Sequence, residues 1–84
     1  MNNKILIKLL VLEMDETYDI FIPINVRVGT VLNLINRILY DISDGIYEIK
    51  NNRNLYNIVD ANPYPLNKLV RETNIRNGSS VIII

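Results

Sequence analysis

Residues 4–42, KILIKLLVLEMDETYDIFIPINVRVGTVLNLINRILYDI, change their hydrophobic period part of the way along, and this change decides the fold. Aliphatic side chains alternate imperfectly with the others over Lys4–Leu12, which is typical of a well-buried strand. A polar turn over Glu13–Thr17 follows, and Tyr18–Ile22 resumes the strand pattern with Pro23 at its exit, where a missing N–H costs no ladder bond. Two such runs separated by a short polar turn predict a β-hairpin.

A helix is predicted from Val28 onwards, because the apolar residues there recur with a period of about 3.6. Its apolar face is expected to contain Val28, Val31, Leu32, Ile35, Ile38, Leu39 and Ile42. The far face is expected to contain Asn33, Asn36, Arg37 and Asp41. Asp44–Gly45 is expected to end the helix, because glycine adopts the left-handed conformation without a Cβ penalty.

The second half of the chain is more interrupted. Ile46–Lys50 and Leu55–Val59 are predicted as short strands on either side of an asparagine-rich turn. Leu66–Thr73 is predicted to form a short helical or 3₁₀ segment. After a turn at Asn77–Ser80, the four β-branched residues of Val81–Ile84 predict a buried final strand.

The order of these elements is hairpin, helix, short strands and final strand, which indicates an α+β protein. The first and last strands are the most apolar, so we expect them to lie together at the centre of the sheet and to be parallel. This arrangement is the β-grasp, or ubiquitin-like, fold: a mixed sheet of four to five strands with one main helix packed across one face. The length predicts a single ubiquitin-like domain over residues 1–84.

The charge balance and the missing residue types restrict the functions open to this chain. Nine Lys and Arg balance nine Asp and Glu, so no net field attracts a phosphate backbone, and we expect no nucleic-acid partner. The sequence contains no Cys and no His, so the commonest nucleophile, general base and metal ligands are missing. We therefore expect no enzymatic activity, no cofactor and no metal site.

The apolar run near the N-terminus is interpreted as a strand and not as an export signal. Lys8 interrupts the run, and its uninterrupted part, Leu9–Leu12, has four residues, against the roughly 7–15 of a signal peptide. With no export signal and no apolar stretch long enough to cross a bilayer, we expect a cytoplasmic protein that does not insert into a membrane.

Three segments of the sequence resemble the YukD-type ubiquitin-like proteins: Thr17–Pro23 (TYDIFIP), Val28–Ile35 (VGTVLNLI), and Leu66–Gly78 before an aliphatic terminal strand. Members of this family are small cytosolic accessory proteins of type VII (ESX-like) secretion in Gram-positive bacteria. The resemblance covers nearly the whole chain. It implies a non-enzymatic interaction module or regulator of that secretion system, with a component of the secretion machinery as a partner, and it implies no catalytic residue.

Ubiquitin-like proteins have two other functions that are alternatives to this one. A ubiquitin-type modifier or a sulfur carrier works through a flexible tail that ends in Gly-Gly, whereas this sequence ends at Ile84 inside the predicted final strand. Both functions are therefore disfavoured. A β-grasp adaptor unrelated to secretion remains as a further alternative.

The candidate site is the sheet face turned away from the helix. If Ile5, Ile7, Leu9 and Val11 face the helix, their neighbours on the strand face away from it. The predicted partner-binding residues on this outer face are Leu6, Lys8, Leu10, Phe21, Ile82 and Ile84. They predict one contiguous apolar area with Lys4, Lys8 and Asp19 around it. Monomers rarely expose such patches, so we expect a protein partner, self-association, or cover by another element.

Two other candidate sites have weaker support in the sequence. The acidic residues Glu13, Asp15, Glu16 and Asp19 lack the glycine and the regular offsets of a calcium loop, so a solvated hairpin turn is favoured. Gly29–Thr30 at the predicted helix start offers an anion free N–H groups, but a lone glycine is weak support and helix capping is favoured.

Overall fold

The computed structural model describes residues 3–84, which contain four strands and one α-helix. The strands are β1 (Lys4–Val11), β2 (Glu16–Pro23), β3 (Leu55–Asn57) and β4 (Ser80–Ile83). The helix, α1, covers Val28–Ile42, and 3₁₀ turns cover Leu12–Met14 and Val70–Glu72. Residues 1 and 2, which belong to the predicted domain of residues 1–84, lie outside the described part of the chain.

The four strands form one mixed sheet in the order β2-β1-β4-β3. β1 pairs antiparallel with β2 and parallel with β4, and β3 pairs antiparallel with β4. The prediction that the first and last strands are parallel neighbours at the sheet centre is therefore confirmed. With α1 packed across one face, the chain has the predicted α+β ubiquitin-like β-grasp fold.

The core lies between α1 and the sheet face that was predicted to be buried. Ile7, Leu9 and Val11 of β1 are each 1% exposed, and Ile5 packs against the same core while partly buried. The alternation of β1 was therefore predicted correctly, because one face of an antiparallel pair must pack on the helix. Other core residues from the sheet and the helix are Ile22, Val81, Ile83, Val28, Val31, Leu32, Ile35 and Leu39.

The start of α1 is fixed by backbone contacts and not by a side-chain cap. Val28 N–H donates to the Lys68 carbonyl at 2.8 Å, and Gly29 N–H donates to the Leu66 carbonyl at 2.9 Å. A Cβ atom on Gly29 would lie 3.2 Å from the Leu66 oxygen, so the glycine permits this close approach. These bonds occupy the N–H groups that an anion would need, which removes Gly29–Thr30 as a candidate anion site.

The two faces of α1 differ in part from the prediction. Asn36, expected on the polar face, is 5% exposed, because its Oδ1 accepts a hydrogen bond of 2.7 Å from the buried Tyr47 hydroxyl. Ile38 and Ile42, expected in the core, are 43% and 53% exposed. The helix ends as predicted, with Gly45 in the left-handed region at φ +82° and its N–H bonded to the Tyr40 carbonyl.

The predicted strand at Ile46–Lys50 is wrong, and Leu55–Val59 is shorter than predicted. Ser43 Oγ accepts the Tyr47 N–H at 2.9 Å, and the Arg53 side chain donates to the Glu48 carbonyl. Because side chains satisfy these backbone groups, the segment needs no ladder partner. β3 ends at Asn57, whose Oδ1 accepts the Val59 N–H in a tight turn.

The final strand, predicted as Val81–Ile84, is observed one residue earlier as Ser80–Ile83, so Ile84 lies just beyond it. Two other local predictions for the second half are confirmed. The 3₁₀ turn Val70–Glu72 lies within the segment predicted as short helical or 3₁₀, and Val70 contributes to the core. The turn before β4 contains Gly78 at φ +89°, and its N–H donates to the Leu6 carbonyl at 2.7 Å. Asn77 Oδ1 accepts the Leu6 N–H, so this turn also extends the bonding of β1 to β4.

Candidate functional site

The six predicted partner-binding residues, Leu6, Lys8, Leu10, Phe21, Ile82 and Ile84, lie on the sheet face opposite α1. The strand register orders them into three rows across the sheet. Leu6 lies opposite Phe21, Lys8 lies opposite Asp19 and Ser80, and Leu10 lies opposite Thr17 and Ile82. Ile82 in turn lies opposite Tyr56 of β3. Ile84 follows β4 and keeps the orientation of Ile82 by alternation.

The part of this face at the C-terminal ends of β1 and β4 is apolar. We call its residues the Ile82 patch: Leu10, Leu12, Tyr56, Ile82 and Ile84. Leu12 is 54% exposed and Ile84 is 51% exposed, whereas Leu10, Tyr56 and Ile82 are half-buried by one another and by the sheet. No segment of residues 3–84 covers Leu12 or Ile84. The predicted alternative of cover by another element therefore has no support in the described part of the chain.

A second apolar area, near the N-terminal end of β1, consists of Leu6 and Phe21. A polar row separates this area from the Ile82 patch. Phe21 is 68% exposed, and Leu6 beside it is half-buried. Lys8, Asp19 and Ser80 form the row between the two apolar areas. The sequence suggested a contiguous apolar area with Lys8 and Asp19 at its edge, but the register places these charges across its middle.

A charged cluster borders the Ile82 patch. Arg53 is 6% exposed, and its Nη2 donates to the Glu13 carboxylate, while Nε donates to the Glu48 carbonyl at 2.8 Å. Lys50 Nζ lies 3.8 Å from the same Glu13 carboxylate. A cleft of about 450 Å³ lies between this cluster and Leu12, Tyr56 and Ile84. The patch therefore has an apolar centre and a charged border, which is the arrangement of protein interfaces.

The buried Tyr47 ring contacts Arg53 of this charged cluster on the side of the core. The ring is 1% exposed, and the Arg53 guanidinium carbon lies 4.1 Å from the ring centroid. Burial raises the pKa of the Tyr47 hydroxyl above its usual value near 10, the Arg53 charge lowers it, and the Glu13 charge raises it. The hydroxyl therefore stays protonated and continues to donate to Asn36 Oδ1.

The acidic residues of the hairpin do not act as a unit. Glu13 is held by Arg53 and Lys50, whereas Asp19 lies on the outer face opposite Lys8. Asp15 ends the 3₁₀ turn in a left-handed conformation, with its N–H bonded to the Leu12 carbonyl. The solvated hairpin turn favoured from the sequence describes Asp15, which is exposed, whereas the exposed Glu16 already belongs to β2.

Sequence reasoning missed Tyr56 and Arg53 as parts of the site. Tyr56 could have been found from the sequence. Side chains of the predicted short strand alternate between the two sheet faces, so if Leu55 points to the core, Tyr56 points to the outer face. Arg53 gave no such signal, because it was assigned to a turn between two strands, one of which does not form.

Within residues 3–84, no helix has the length and apolar character needed to cross a bilayer.

The chain is similar in structure to several solved proteins at low sequence identity. The ubiquitin-like domain of the Mycobacterium tuberculosis type VII secretion system protein ECCD1 matches with a TM-score of 0.75 and 12% identity, over 100% of this chain and 99% of that one. A chain of the MycP5-free ESX-5 inner membrane complex matches with a TM-score of 0.73 and 16% identity, over 99% of this chain and 21% of that one. A chain of the toluene 4-monooxygenase HD complex matches with a TM-score of 0.76 and 5% identity, over 95% of each.

No protein-family model and no curated protein matches the chain. The solved structures differ in function by name, so likeness at these identities describes the fold and not the activity. The likeness to these solved structures, together with the strand order and the position of α1, shows that this chain has the ubiquitin-like β-grasp fold.

Proposed function

We propose that this protein is a non-enzymatic interaction module that acts in the cytoplasm as an accessory or regulatory component of a type VII secretion system. Its partner is a protein of the secretion machinery, which binds the outer sheet face through the Ile82 patch. The observation that carries this proposal is the exposure of Leu12 and Ile84 beside half-buried Leu10, Tyr56 and Ile82 on a face without cover in residues 3–84.

The chemistry of the Ile82 patch favours a protein partner over a small molecule. The patch is an open surface on the outside of the sheet, and the adjoining cleft of about 450 Å³ is bordered by charged side chains. Buried small-molecule sites are usually enclosed and mostly apolar. An aliphatic and aromatic centre with an Arg, Lys and Glu border is instead typical of a protein interface.

The link to secretion is supported by a resemblance in sequence and by likenesses in structure. The Thr17–Pro23 and Val28–Ile35 segments resemble YukD-type proteins, and the ECCD1 ubiquitin-like domain of a type VII system has the same fold over the whole of this chain. A chain within an ESX-5 inner membrane complex also contains this fold. The occurrence of this fold in proteins of type VII systems supports a role in secretion for this chain.

A non-enzymatic role agrees with the residues on the outer face. The chain has no Cys and no His, and at the border of the Ile82 patch Lys50 and Arg53 both contact the Glu13 carboxylate. We therefore assign Arg53 and Glu13 a structural role at the border of the interface.

The test is genetic complementation in the source bacterium. Deletion of the gene should abolish or strongly reduce export of the type VII substrates, and the wild-type gene should restore it. Genes carrying Ile82→Asp or Ile84→Asp should not restore export, because a carboxylate in an apolar contact is costly to desolvate. Ile84 is more exposed than Ile82, so Ile84→Asp tests the patch with less risk to folding.

Ile46→Asp is the matched control, because Ile46 is 83% exposed and lies outside the Ile82 patch. This variant should restore export to the wild-type level. Wild-type export from the deletion strain would contradict the role in secretion. Full rescue by both Ile82→Asp and Ile84→Asp would instead contradict the assignment of the binding face.

A further inference from the structure

β2 lies at the edge of the sheet, and its outer side presents backbone groups that no other described strand pairs with. Lys8 lies opposite Asp19 of β2, but its N–H donates to the Ser79 carbonyl on the other side of β1, so Lys8 does not bond to Asp19. Just beyond the end of β2, Ile24 does bond toward the neighbouring strand, because its N–H donates to the Asn3 carbonyl. Antiparallel strands alternate between residues that bond inward and residues that bond outward. Thr17, Asp19 and Phe21 therefore direct their N–H and C=O groups toward the open edge.

An apolar groove of about 210 Å³ lies directly beside this edge, between β2 and α1. Tyr18 and Ile20 form the strand wall, and Ile38 and Ile42 form the helix wall. All of these are partly or substantially exposed, and the buried residues Leu9 and Ile35 lie behind them. The exposure of Ile38 and Ile42 thus gives α1 an apolar flank that faces the space beyond β2.

We propose that this open edge binds an extended segment of a partner protein as an additional strand, and that the segment has the pattern apolar–basic–apolar. The site is separate from the Ile82 patch, so the inference goes beyond the proposed function and does not depend on it. An added strand bonds to the Thr17, Asp19 and Phe21 backbone groups and places alternate side chains in the groove.

The pattern follows from the alternation of the added strand. Side chains opposite Tyr18 and Ile20 point to the helix side, where Ile38 and Ile42 favour aliphatic groups. The side chain between them lies opposite Asp19, on the outer face. β2 contains Glu16 and Asp19 but no basic residue, and within residues 3–84 Asp19 forms no ion pair. A Lys or Arg is therefore the complementary residue at the central position.

The chain already contains one strand of this kind. On the inner side of β2, Ile7, Lys8 and Leu9 of β1 lie opposite Ile20, Asp19 and Tyr18. The same three residues of β2 thus accept an apolar–basic–apolar strand on their paired side. The pattern reads the same in both directions, so it applies to a parallel or an antiparallel partner.

A second copy of this chain fits the edge poorly. The symmetric antiparallel register that uses Thr17, Asp19 and Phe21 of both copies is centred on Asp19. It places two Asp19 carboxylates directly opposite each other on one face of the sheet, and like charges at opposite positions destabilise strand pairing. The edge is therefore assigned to a different protein and not to self-association.

The test uses a synthetic peptide with an isoleucine–lysine–isoleucine core in a soluble serine-rich context, titrated into the isotope-labelled full chain and followed by NMR. The Thr17, Asp19 and Phe21 amide signals should shift. A matched peptide with glutamate in place of the lysine should bind about three- to tenfold more weakly. A third peptide with the same side chains but N-methylated edge-facing amides should cause no shifts, because it cannot complete the ladder.

Two variants of the chain separate the parts of the site. Asp19→Lys should reverse the preference, so that the glutamate peptide binds more tightly than the lysine peptide. Ile38→Asp should abolish binding of the lysine peptide, whereas Ile46→Asp, at an exposed isoleucine away from the groove, should leave it unchanged. The lysine peptide failing to shift the β2 amides, equal binding of the N-methylated peptide, or a preference that Asp19→Lys does not change would each overturn the proposal. A dimer that forms through β2 in sedimentation experiments would overturn the choice of partner.

Discussion

The central carbon of the Arg53 guanidinium lies 4.1 Å from the centroid of the Tyr47 ring. Nε and Nη2 of the same group donate to the Glu48 carbonyl, and Nη2 also donates to the Glu13 carboxylate. One side chain therefore joins the end of β1, the irregular segment after α1 and the approach to β3. The bonds from Arg53 to the Glu48 carbonyl help to explain why the predicted strand at Ile46–Lys50 does not form.

We expect Arg53→Ala to destabilise the protein by about 1.5–3 kcal/mol, the usual range for hydrogen bonds to charged groups. Lys50→Ala should cost less than about 1 kcal/mol, because Lys50 is an exposed cation that contacts the same Glu13 carboxylate. Urea unfolding of both variants measures the difference. Equal losses would show that Arg53 contributes only a charge near Glu13 and does not organise the segment.

Stability should fall as the pH rises above about 10. Burial raises the pKa of Tyr47 and of Tyr64 in the folded protein above the value near 10 expected in the unfolded chain. Above that value the unfolded state binds fewer protons than the folded state, so the free energy of unfolding decreases with pH. The decline should be smaller in Tyr47→Phe, measured by urea unfolding across this pH range. An unchanged decline would contradict the assignment of Tyr47.

Much of the fold was predictable because its elements have clear periodicities. β1 and α1 each present an alternating or helical apolar face, and the strongly apolar β4 could be buried only in the sheet centre beside β1. These patterns are local and need no knowledge of partners distant in the chain. The register of the hairpin is less local, so the position of Asp19 opposite Lys8, which divides the outer face, was not foreseen.

The missed features depend on pairs of residues far apart in the sequence. Asn36 looks polar and solvated in the helix pattern, but the Tyr47 hydroxyl provides a buried partner for it at 2.7 Å. Tyr47 itself belongs to the hydrophobic core, and the Arg53 guanidinium carbon lies 4.1 Å from its ring centroid. Periodicity carries no information on such contacts. Ile38 and Ile42 follow the helical period but lie beyond the width of the sheet, beside the open edge of β2.

Gly29→Ala and Asn33→Ala should change stability in opposite directions, although both add alanine to the same helix. Alanine favours an exposed helix position by up to about 1 kcal/mol, and Asn33→Ala should gain a few tenths of this because Asn33 is exposed. At Gly29 the new Cβ would lie 3.2 Å from the Leu66 oxygen that accepts the Gly29 N–H. We therefore expect Gly29→Ala to lower the melting temperature. A higher melting temperature would show that the Pro65–Leu66 backbone yields without cost.

Adjacent residues of β4 should separate folding from binding. Ile83 is 1% exposed and packs in the core, so Ile83→Ala should cost about 2–5 kcal/mol, a large share of the roughly 5–15 kcal/mol of a typical domain. Ile82 is half-buried on the outer face between Leu10 and Tyr56, so Ile82→Asp should stay folded but lose partner binding. Thermal melting combined with a binding assay distinguishes the two effects. If Ile82→Asp unfolds the protein while Ile83→Ala is tolerated, the assignment of the outer face is inverted and the Ile82 patch is not the interface.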